Sequence, residues 1–449
     1  MERTLINLTP EKIGQKVRLC GWVNTRRDHG KLVFIDVRDR TGIIQVVGGS
    51  ELGDLKPQDV VEIVGEVQKR PEKMINKDLP TGMVEVVNGK MNLIAKADSL
   101  PFDMGKDWLN LETPTLLDHR ALTIRHKTIS GIFKLGEIIV DTFRKSLKKI
   151  GFTEYESPLI VPATAEGGAE VFQIKYFDYQ AYLAQSPQLY KQMMLGAFER
   201  VFTVTHAFRA EPSMTTRHLT EYTSLDAEMA FIDSWEDVME AVEYTIKEIL
   251  AAVEKEGSQY LAMYKANIPL VSKKIPRLKL SEAQEIIYQR TKRDNRKEPD
   301  LQPTDEEEIC QWAKEEKGSE LIFITHYPVK KRPFYTYSDP ENPGLTLSFD
   351  LLGRGLEWVT GGQRINEYKK LVENIKKWGN NPKTFTLYLE TFKYGLPPEG
   401  GFAIGLERVV MKILGLQNVR EATPFPRDME RIDMRLSELQ LKNVSKKKK

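Results

Sequence analysis

Phe208-Arg209-Ala210-Glu211, Thr215-Thr216-Arg217-His218 and Tyr222-Thr223-Ser224-Leu225-Asp226-Ala227-Glu228 stand close together in one span of the chain. The span reads as two long strands, 201–210 and 222–231, joined by a polar loop. Arg209 closes the first strand and Arg217 lies in the loop. A third arginine, Arg408, follows in Gly405-Leu406-Glu407-Arg408, where the glycine-rich stretch 400–405 leads into an apolar helix over 406–416. Guanidinium groups stay charged and present forked donors, so three of them near strand ends suit the oxygens of a polyphosphate. Surface salt bridging would explain any one of them alone.

Two further groups bear on chemistry. Asp350 and Glu357 are seven residues apart and precede Gly361-Gly362-Gln363-Arg364. An odd separation puts two strand residues on opposite faces, but Gly353 and Gly355 mark a turn that brings the carboxylates together. With phosphates they would make a Mg²⁺ site; the plain alternative is two solvated acids on a hairpin. The second group is Gln185-Ser186-Pro187-Gln188-Leu189-Tyr190-Lys191-Gln192. Its proline-restrained polar ends read either as a pocket lining or as an ordinary helix start.

Outside these segments the pattern is α+β. Five Val- and Ile-rich runs, 17–24, 32–38, 43–47, 60–69 and 83–95, fit a small OB-fold barrel or a β-sandwich. Pro101 and Pro114 mark 99–120 as a linker. Ile132, Leu135, Ile139, Phe143, Leu147 and Ile150 recur at helical spacing, and Gly151 stops that helix. The stretch 153–161 is strand-like and broken by Pro158. Residues 234–256 are helical, and 281–320 are charged and helical with no chemistry assigned. Residues 385–392 alternate apolar and polar and read as a strand. Lys446–Lys449 reads as a solvated basic end able to add weak contact with RNA.

The 449 residues are 41% hydrophobic and 29% charged, with a formal net charge of +2, which suits two or three soluble domains. Near-neutrality does not exclude nucleic acid, because binding needs only a local basic face. Cys20 and Cys310 fit no metal spacing and point to a reducing compartment. Residues 1–9 lack the apolar core of a signal peptide, and no run of membrane-spanning length occurs, so a cytoplasmic protein with no membrane contact is expected.

Together these segments resemble class II aminoacyl-tRNA synthetases, in the subgroup of aspartyl, asparaginyl and lysyl enzymes. Gly21-Trp22-Val23, Arg26-Arg27-Asp28 and Phe34-Ile35-Asp36-Val37-Arg38-Asp39 resemble the anticodon-binding OB-fold. The helix before Gly151 and the strand through Pro158 resemble motif 1, which builds the family's dimer interface. Phe208 through Glu228 resembles motif 2, and 400–408 motif 3. The Gln-Ser-Pro-Gln-x-x-Lys-Gln pattern at 185–192 is similar to the aspartyl members. The resemblance implies an OB-fold over 1–98, a hinge over 99–120, and over 121–449 a catalytic domain with an antiparallel sheet flanked by helices. A helical insertion falls around 260–325. It also implies a homodimer, with ATP, Mg²⁺, aspartate and tRNA(Asp) as ligands.

The implied reaction forms aspartyl-adenylate and then charges the tRNA. Arg209 would meet the α-phosphate, and Arg217 and Arg408 the γ-phosphate, with His218 beside them. Glu211 would accept from the adenine amino group and Tyr222 would stack on the ring. Asp350 and Glu357 would hold Mg²⁺. Glu166 and Gln188 would hold the substrate's amino end. Lys191 and Arg364 would take its side-chain carboxylate, with Asp226 orienting Lys191. In the barrel, Phe34 would stack on an anticodon base and Gln45 would read its edge, among Arg27, His29 and Lys73. A buried strand residue is the alternative for Phe34.

The chain also departs from the aspartyl pattern. Arg26-Arg27-Asp28-His29-Gly30 resembles bacterial members, whereas Pro333-Phe334-Tyr335-Thr336 resembles archaeal and eukaryotic ones, and the large bacterial insertion is absent. Glu399, in Pro397-Pro398-Glu399-Gly400-Gly401, stands where relatives often carry His, with no consequence assigned. His29 accompanies enzymes that charge both tRNA(Asp) and tRNA(Asn), while Lys73 resembles stricter ones. The balance leans to both tRNAs, with strict tRNA(Asp) charging as the alternative. A non-catalytic RNA-binding paralogue would have lost an arginine or acid, and here the matched positions are filled.

Overall fold

Val33, Ile35 and Val37 are buried while Phe34, Asp36 and Arg38 between them are half-exposed, so the strand turns one face to a core and the other away. The same alternation recurs in β1 (Lys16–Asp28) and β4 (Val60–Lys69). With β2 (Val33–Arg38), β3 (Ile43–Gly48) and β5 (Val84–Ala95) they close a barrel in the order β1-β2-β3-β5-β4. Closure decides between the two readings of these five runs: the molecule has a barrel, filled by Leu19, Ile35, Ile44, Ile63 and Val86, and not a sandwich. The computed structural model describes residues 1–163, 170–212, 215–437 and 439. It divides into two units, one ending at Leu111 and the other starting at Glu112.

In the second unit the long helix Lys127–Lys149 buries Ile132, Leu135, Ile139, Phe143 and Leu147, and Gly151 follows it at φ +87°. The left-handed backbone there favours glycine. Pro114 does not break the chain. It starts the helix Thr113–Asp118, where its missing N–H is not needed, so helix occupies part of the stretch read as linker. The strand-like stretch after Gly151 becomes β6 (Thr153–Glu154) and β7 (Ile160–Val161), which join different sheets.

The remaining strands are β8 (Gln173–Tyr176), β9 (Tyr179–Leu183), β10 (Arg200–Phe208), β11 (Glu221–Ala230), β12 (Arg277–Lys279), β13 (Leu321–Thr325), β14 (Ser348–Gly353), β15 (Glu357–Gln363) and β16 (Glu399–Gly405). The main sheet has eight strands in the order β12-β13-β14-β15-β16-β11-β10-β6. It is antiparallel from β13 to β10, with a parallel pair at each edge. A small sheet, β7-β9-β8, stands apart from it. The charged stretch after residue 280 forms the helices Leu280–Thr291 and Pro303–Lys317, whose Ile287 and Ile309 pack with Ile322 and Ile324 of β13.

Residues 385–392 are not a strand. Pro382–Phe385 is a 3₁₀ turn that runs into the helix Thr386–Lys393. Phe385, Tyr388, Leu389 and Phe392 are the buried positions, and their spacing is helical. Leu387, which an alternating reading would bury, is 68% exposed.

Phe143 is fully buried and meets Phe202 of β10 edge-to-face at 5.6 Å. Phe143→Ala should lower the stability of the second unit by about 3–5 kcal/mol. The barrel, whose core uses other residues, should keep its own denaturation midpoint. Chemical denaturation followed by probes in each unit tests this, and a loss below about 1 kcal/mol would show that this helix is not seated by Phe143.

Candidate active site

Tyr222, Ser224, Asp226 and Glu228 alternate along β11 and so share one face, while Leu225 and Ala227 between them are fully buried on the other. Across the sheet Glu228 opposes Gly401 of β16. A side chain at 401 could not be accommodated, because a Cβ there would lie 2.0 Å from the Glu228 carboxylate.

The helix Gln188–Phe198 lays Lys191 over this face. Its Nζ is 2.9 Å from both Asp226 Oδ1 and Glu228 Oε2, and only 1% of the side chain is exposed. Ser224 Oγ donates to the other oxygen of Asp226. Arg364, just past β15, donates from Nε to Glu228 Oε1 at 2.9 Å and from Nη2 to Gly401 O at 3.0 Å. Burial disfavours the charge of Glu228, but Arg364 and then Lys191 outweigh it and hold the carboxyl below its usual range. Two buried cations thus stand side by side, oriented by two carboxylates.

A second cationic group lies along the same cavity. Arg209 packs over the Tyr222 ring at 5.6 Å and approaches Glu211 at 3.7 Å. Arg408 reaches Glu357 Oε1 at 3.5 Å. Arg217 is gripped from the helix Pro303–Lys317, by Glu306 at 2.7 Å and Glu307 at 3.2 Å. His218 lies 3.8 Å from Glu211, and burial, then Arg408, lower its pKa, which keeps the imidazole neutral.

The cavity has a volume of about 300 Å³. Its wall brings together Gln188, Lys191, Arg209, Glu211, Arg217, His218, Tyr222, Asp226, Glu357, Arg364 and Arg408, drawn from across 220 residues of chain. Glu166 lies outside the described residues. Asp350 is not on the wall. It sits behind it, paired to Arg332, which does line the cavity and also donates to Thr360 at 3.1 Å.

Asp350 and Glu357 share a face for a reason the sequence hides. The β14–β15 register shifts by one residue between Leu351 and Leu352, so Leu352 opposes Glu357 and the odd separation is corrected. Asp350 Oδ1 is buried without a hydrogen-bond partner, and burial, with Asp350 nearby, raises the pKa of Glu357. Two mutually repelling carboxylates, one with an unused oxygen, would suit a divalent cation that also drew ligands from phosphates. Among the described residues no group of three or more metal-ligating side chains occurs.

In the barrel, Arg27, Phe34 and Gln45 lie on adjacent strands. Arg27 opposes Phe34 and donates to Gln45 Oε1 at 3.2 Å. Gln45 Nε2 donates to Glu85 at 2.8 Å. Phe34 is on the outer face, not in the core, and meets the exposed His29 ring edge-to-face at 5.5 Å. Lys73 is exposed on the turn Glu72–Met74, and among the described residues nothing ties it to this cluster.

Glu228, Glu306 and Arg332 escaped the reading of the sequence. For Glu228 a signal existed, the polar alternation along β11. Glu306 had none, because it meets Arg217 from 89 residues away.

A family model described as class II tRNA synthetases (D, K and N) matches residues 112–429, and one for the OB-fold nucleic acid binding domain matches residues 17–94. The chain is 40% identical to the aspartate–tRNA(Asp/Asn) ligase of Deinococcus radiodurans, covering 96% of this chain and 99% of that one. It is 38% identical to the aspartate–tRNA(Asp) ligase of Pyrococcus abyssi, covering 95% and 98%. Among solved structures it is similar to asparaginyl-tRNA synthetase from Pyrococcus horikoshii complexed with asparaginyl-adenylate, with a TM-score of 0.87 and 31% identity over 96% and 99% of the two chains. Among the described residues no helix is long and apolar enough to cross a membrane.

Burial, and then the charge of Glu357, push the Glu306 carboxyl up to about 8 despite its contact with Arg217. The folded protein therefore keeps this proton to about pH 8, whereas the unfolded chain releases it near 4.5. Stability from this group is full below the lower value and is lost as pH rises to the upper one. Relative to wild type, Glu306→Gln should gain about 1–3 kcal/mol between about pH 5 and pH 9. The measurement is denaturant unfolding without nucleotide or divalent cation, and an unchanged difference at the two pH values would show that Glu306 is ionised throughout.

Proposed function

The chain belongs to the class II tRNA synthetases of the aspartyl, lysyl and asparaginyl group, and from that premise we propose that it activates aspartate with ATP and transfers it to tRNA. The observation that carries the choice of amino acid is the pair Lys191 and Arg364, both buried at one end of a cavity whose other end is lined by Arg209, Arg217 and Arg408. A desolvated pair of cations favours a substrate carboxylate and leaves a neutral amide poorly matched.

Class II synthetases use ATP. The aspartate α-carboxylate attacks the α-phosphorus, the bond to the β-phosphate oxygen breaks, and pyrophosphate leaves. Arg209 meets the charge that grows on the α-phosphate, and Arg217 and Arg408 hold the far end of the nucleotide, with neutral His218 beside them. Glu211 accepts from the adenine amino group and Tyr222 packs on the ring. The terminal ribose hydroxyl of the tRNA then attacks the adenylate carbonyl and AMP leaves. Catalysis is positioning and charge neutralisation, with no covalent enzyme intermediate. Asp350 and Glu357 would hold Mg²⁺, which neutralises phosphate oxygens. Gln188, with Glu166, holds the substrate's amino group, and Asp226 aims Lys191.

The protein acts in the cytoplasm as a homodimer in this reading. Exposed apolar side chains at the hairpin of the small sheet, Phe177 in the β8–β9 turn at 78% and Tyr179 on β9 at 77%, support a covering partner. The barrel takes the anticodon through Phe34 and its neighbours. His29, exposed next to Phe34, supports charging of tRNA(Asn) beside tRNA(Asp). The relative from Deinococcus radiodurans is named for both tRNAs, and that from Pyrococcus abyssi for tRNA(Asp) alone.

Exchange of pyrophosphate into ATP should depend on aspartate and fall by about 10²–10³ in Arg209→Ala, the loss typical of one donor to a developing charge. Lys191→Met should raise the aspartate KM by at least about 100-fold, roughly 2.7 kcal/mol, with the ATP KM little changed. Exchange driven equally by asparagine would sink the reading.

For the tRNA, the two charging efficiencies at one fixed salt concentration should lie within about 100-fold, and His29→Leu should widen the gap. A wild-type preference for tRNA(Asp) beyond that ratio would make this a strict enzyme.

A further inference from the structure

Glu399 is fully buried on β16, two residues before Gly401. In the β11–β16 register it opposes Ala230, so its side chain lies on the face of Glu228 and one diagonal step from it. Its first oxygen, Oε1, accepts from Gln192 Nε2 at 2.6 Å. The other end of that amide agrees with this orientation, since Gln192 Oε1 accepts from Gln188 Nε2 at 2.9 Å and from Tyr388 Oη at 2.9 Å. Oε1 of Glu399 is therefore an acceptor, and any proton the carboxyl carries sits on Oε2.

Oε2 of Glu399 and Oε2 of Glu228 are both buried without a hydrogen-bond partner. Lys191 Nζ forms an ion pair with the latter at 2.9 Å, while its three protons are directed to Asp226 Oδ1, Ala227 O and Phe402 O at 2.9, 3.4 and 3.3 Å. Two buried acceptor oxygens on neighbouring side chains are satisfied together by one proton between them.

We propose that Glu399 is held as a neutral carboxylic acid that donates its proton to Glu228, and that this neutral acid is what lets the subsite admit a negatively charged substrate side chain. Charge explains why. Lys191 and Arg364 are balanced by Asp226 and Glu228. A third ionised carboxylate would make the subsite net negative and repel the substrate. A neutral Glu399 adds no charge and pins Glu228 where it orients both cations. This step rests on the reading of the pocket as an aspartate site.

The groups around Glu399 agree. Glu228 faces it from β11, Arg364 from beyond β15, Tyr388 from the helix Thr386–Lys393, and Gln192 from the helix Gln188–Phe198. Burial, then Glu228, raise the carboxyl well above the usual range, against Arg364 and Gln192. Glu399 touches no reacting atom in this arrangement and is a positioning residue.

The test compares wild type with Glu399→Gln and Glu399→Ala. Gln reproduces the proposed state, since its carbonyl can accept from Gln192 and its NH₂ can donate to Glu228. The infrared difference spectrum, wild type minus Glu399→Gln at neutral pH, should show the carbonyl band of a protonated carboxylic acid, shifted in D₂O. Carboxylate bands alone would overturn the proposal. Other buried carboxyls are common to both proteins and cancel. In aspartate-dependent pyrophosphate exchange, Glu399→Ala should raise the aspartate KM at least about tenfold, with the ATP KM within about twofold, and Glu399→Gln should return it to within about threefold of wild type. A drop of about tenfold in aspartate KM in Glu399→Gln would mean that a negative charge had been removed, and an unchanged KM in Glu399→Ala would mean that no positioning occurs; either overturns the proposal. If wild type gives no aspartate-dependent exchange, the reading of the pocket fails, while the infrared band still decides the protonation of Glu399.

Discussion

The Lys191 ammonium is the charge on which the site depends. An ion taken out of water is tolerated only if partners restore what solvation gave, and an unpaired one costs several kcal/mol. With 1% of its side chain exposed, Lys191 requires Asp226 and Glu228 together. Those two must lie on the same face of one strand, which sets the period of β11. Glu228 in turn requires a glycine opposite it, at 401, and a second cation, Arg364, to stay ionised under complete burial. The strand order β15-β16-β11 is what brings the three pieces together. Each group is costly alone and compensated in the set, so the set is kept or lost as one.

The two ends of the cavity solve different problems. Lys191 and Arg364 have 1% and 8% of their side chains exposed and fixed partners. Arg209 and Arg408 are 37% and 25% exposed, and their carboxylate neighbours lie at 3.7 and 3.5 Å. Loose, partly hydrated pairs can be exchanged for phosphate oxygens with little reorganisation. Tight, dry pairs cannot move, and in the proposed aspartate site they would discriminate by leaving a mismatched substrate uncompensated. Arg217 is intermediate: it is gripped by Glu306, whose raised pKa weakens that grip when the proton is bound.

What was legible in the sequence follows from range. The barrel strands and the helix Lys127–Lys149 are encoded by local periodicity, which needs no knowledge of partners. Residues 385–392 misled because their apolar positions fit both periods. Only the exposure of Leu387 and the burial of Tyr388 separate them, and both are tertiary facts. The same limit applies to the site. Residue type and motif place Arg209, Lys191 and Arg364, but Glu228 meets Arg364 across 136 residues and Glu399 meets Gln192 across 207. A carboxylate acquires its role from the neighbours the fold assigns it, and a linear pattern does not carry those neighbours. The register shift that aligns Asp350 with Glu357 belongs to the same class, since a bulge depends on both strands.

Hydrogen-bond capacity sets how the barrel can read a base. Its interior is closed by apolar side chains, so contact must come from the outer face. There Gln45 spends one donor on Glu85 and one acceptor on Arg27, which fixes its amide and leaves a single remaining direction for each function. Its amide is rigidly held. His29 is exposed, in the turn stabilised by Gly30 N–H donating to Asp28, and its ring meets Phe34 edge-on. A neutral imidazole can present a donor or an acceptor by exchanging tautomers. In the proposed anticodon contact, one fixed and one adaptable group side by side would hold shared features of two anticodons firmly and tolerate the base at which they differ.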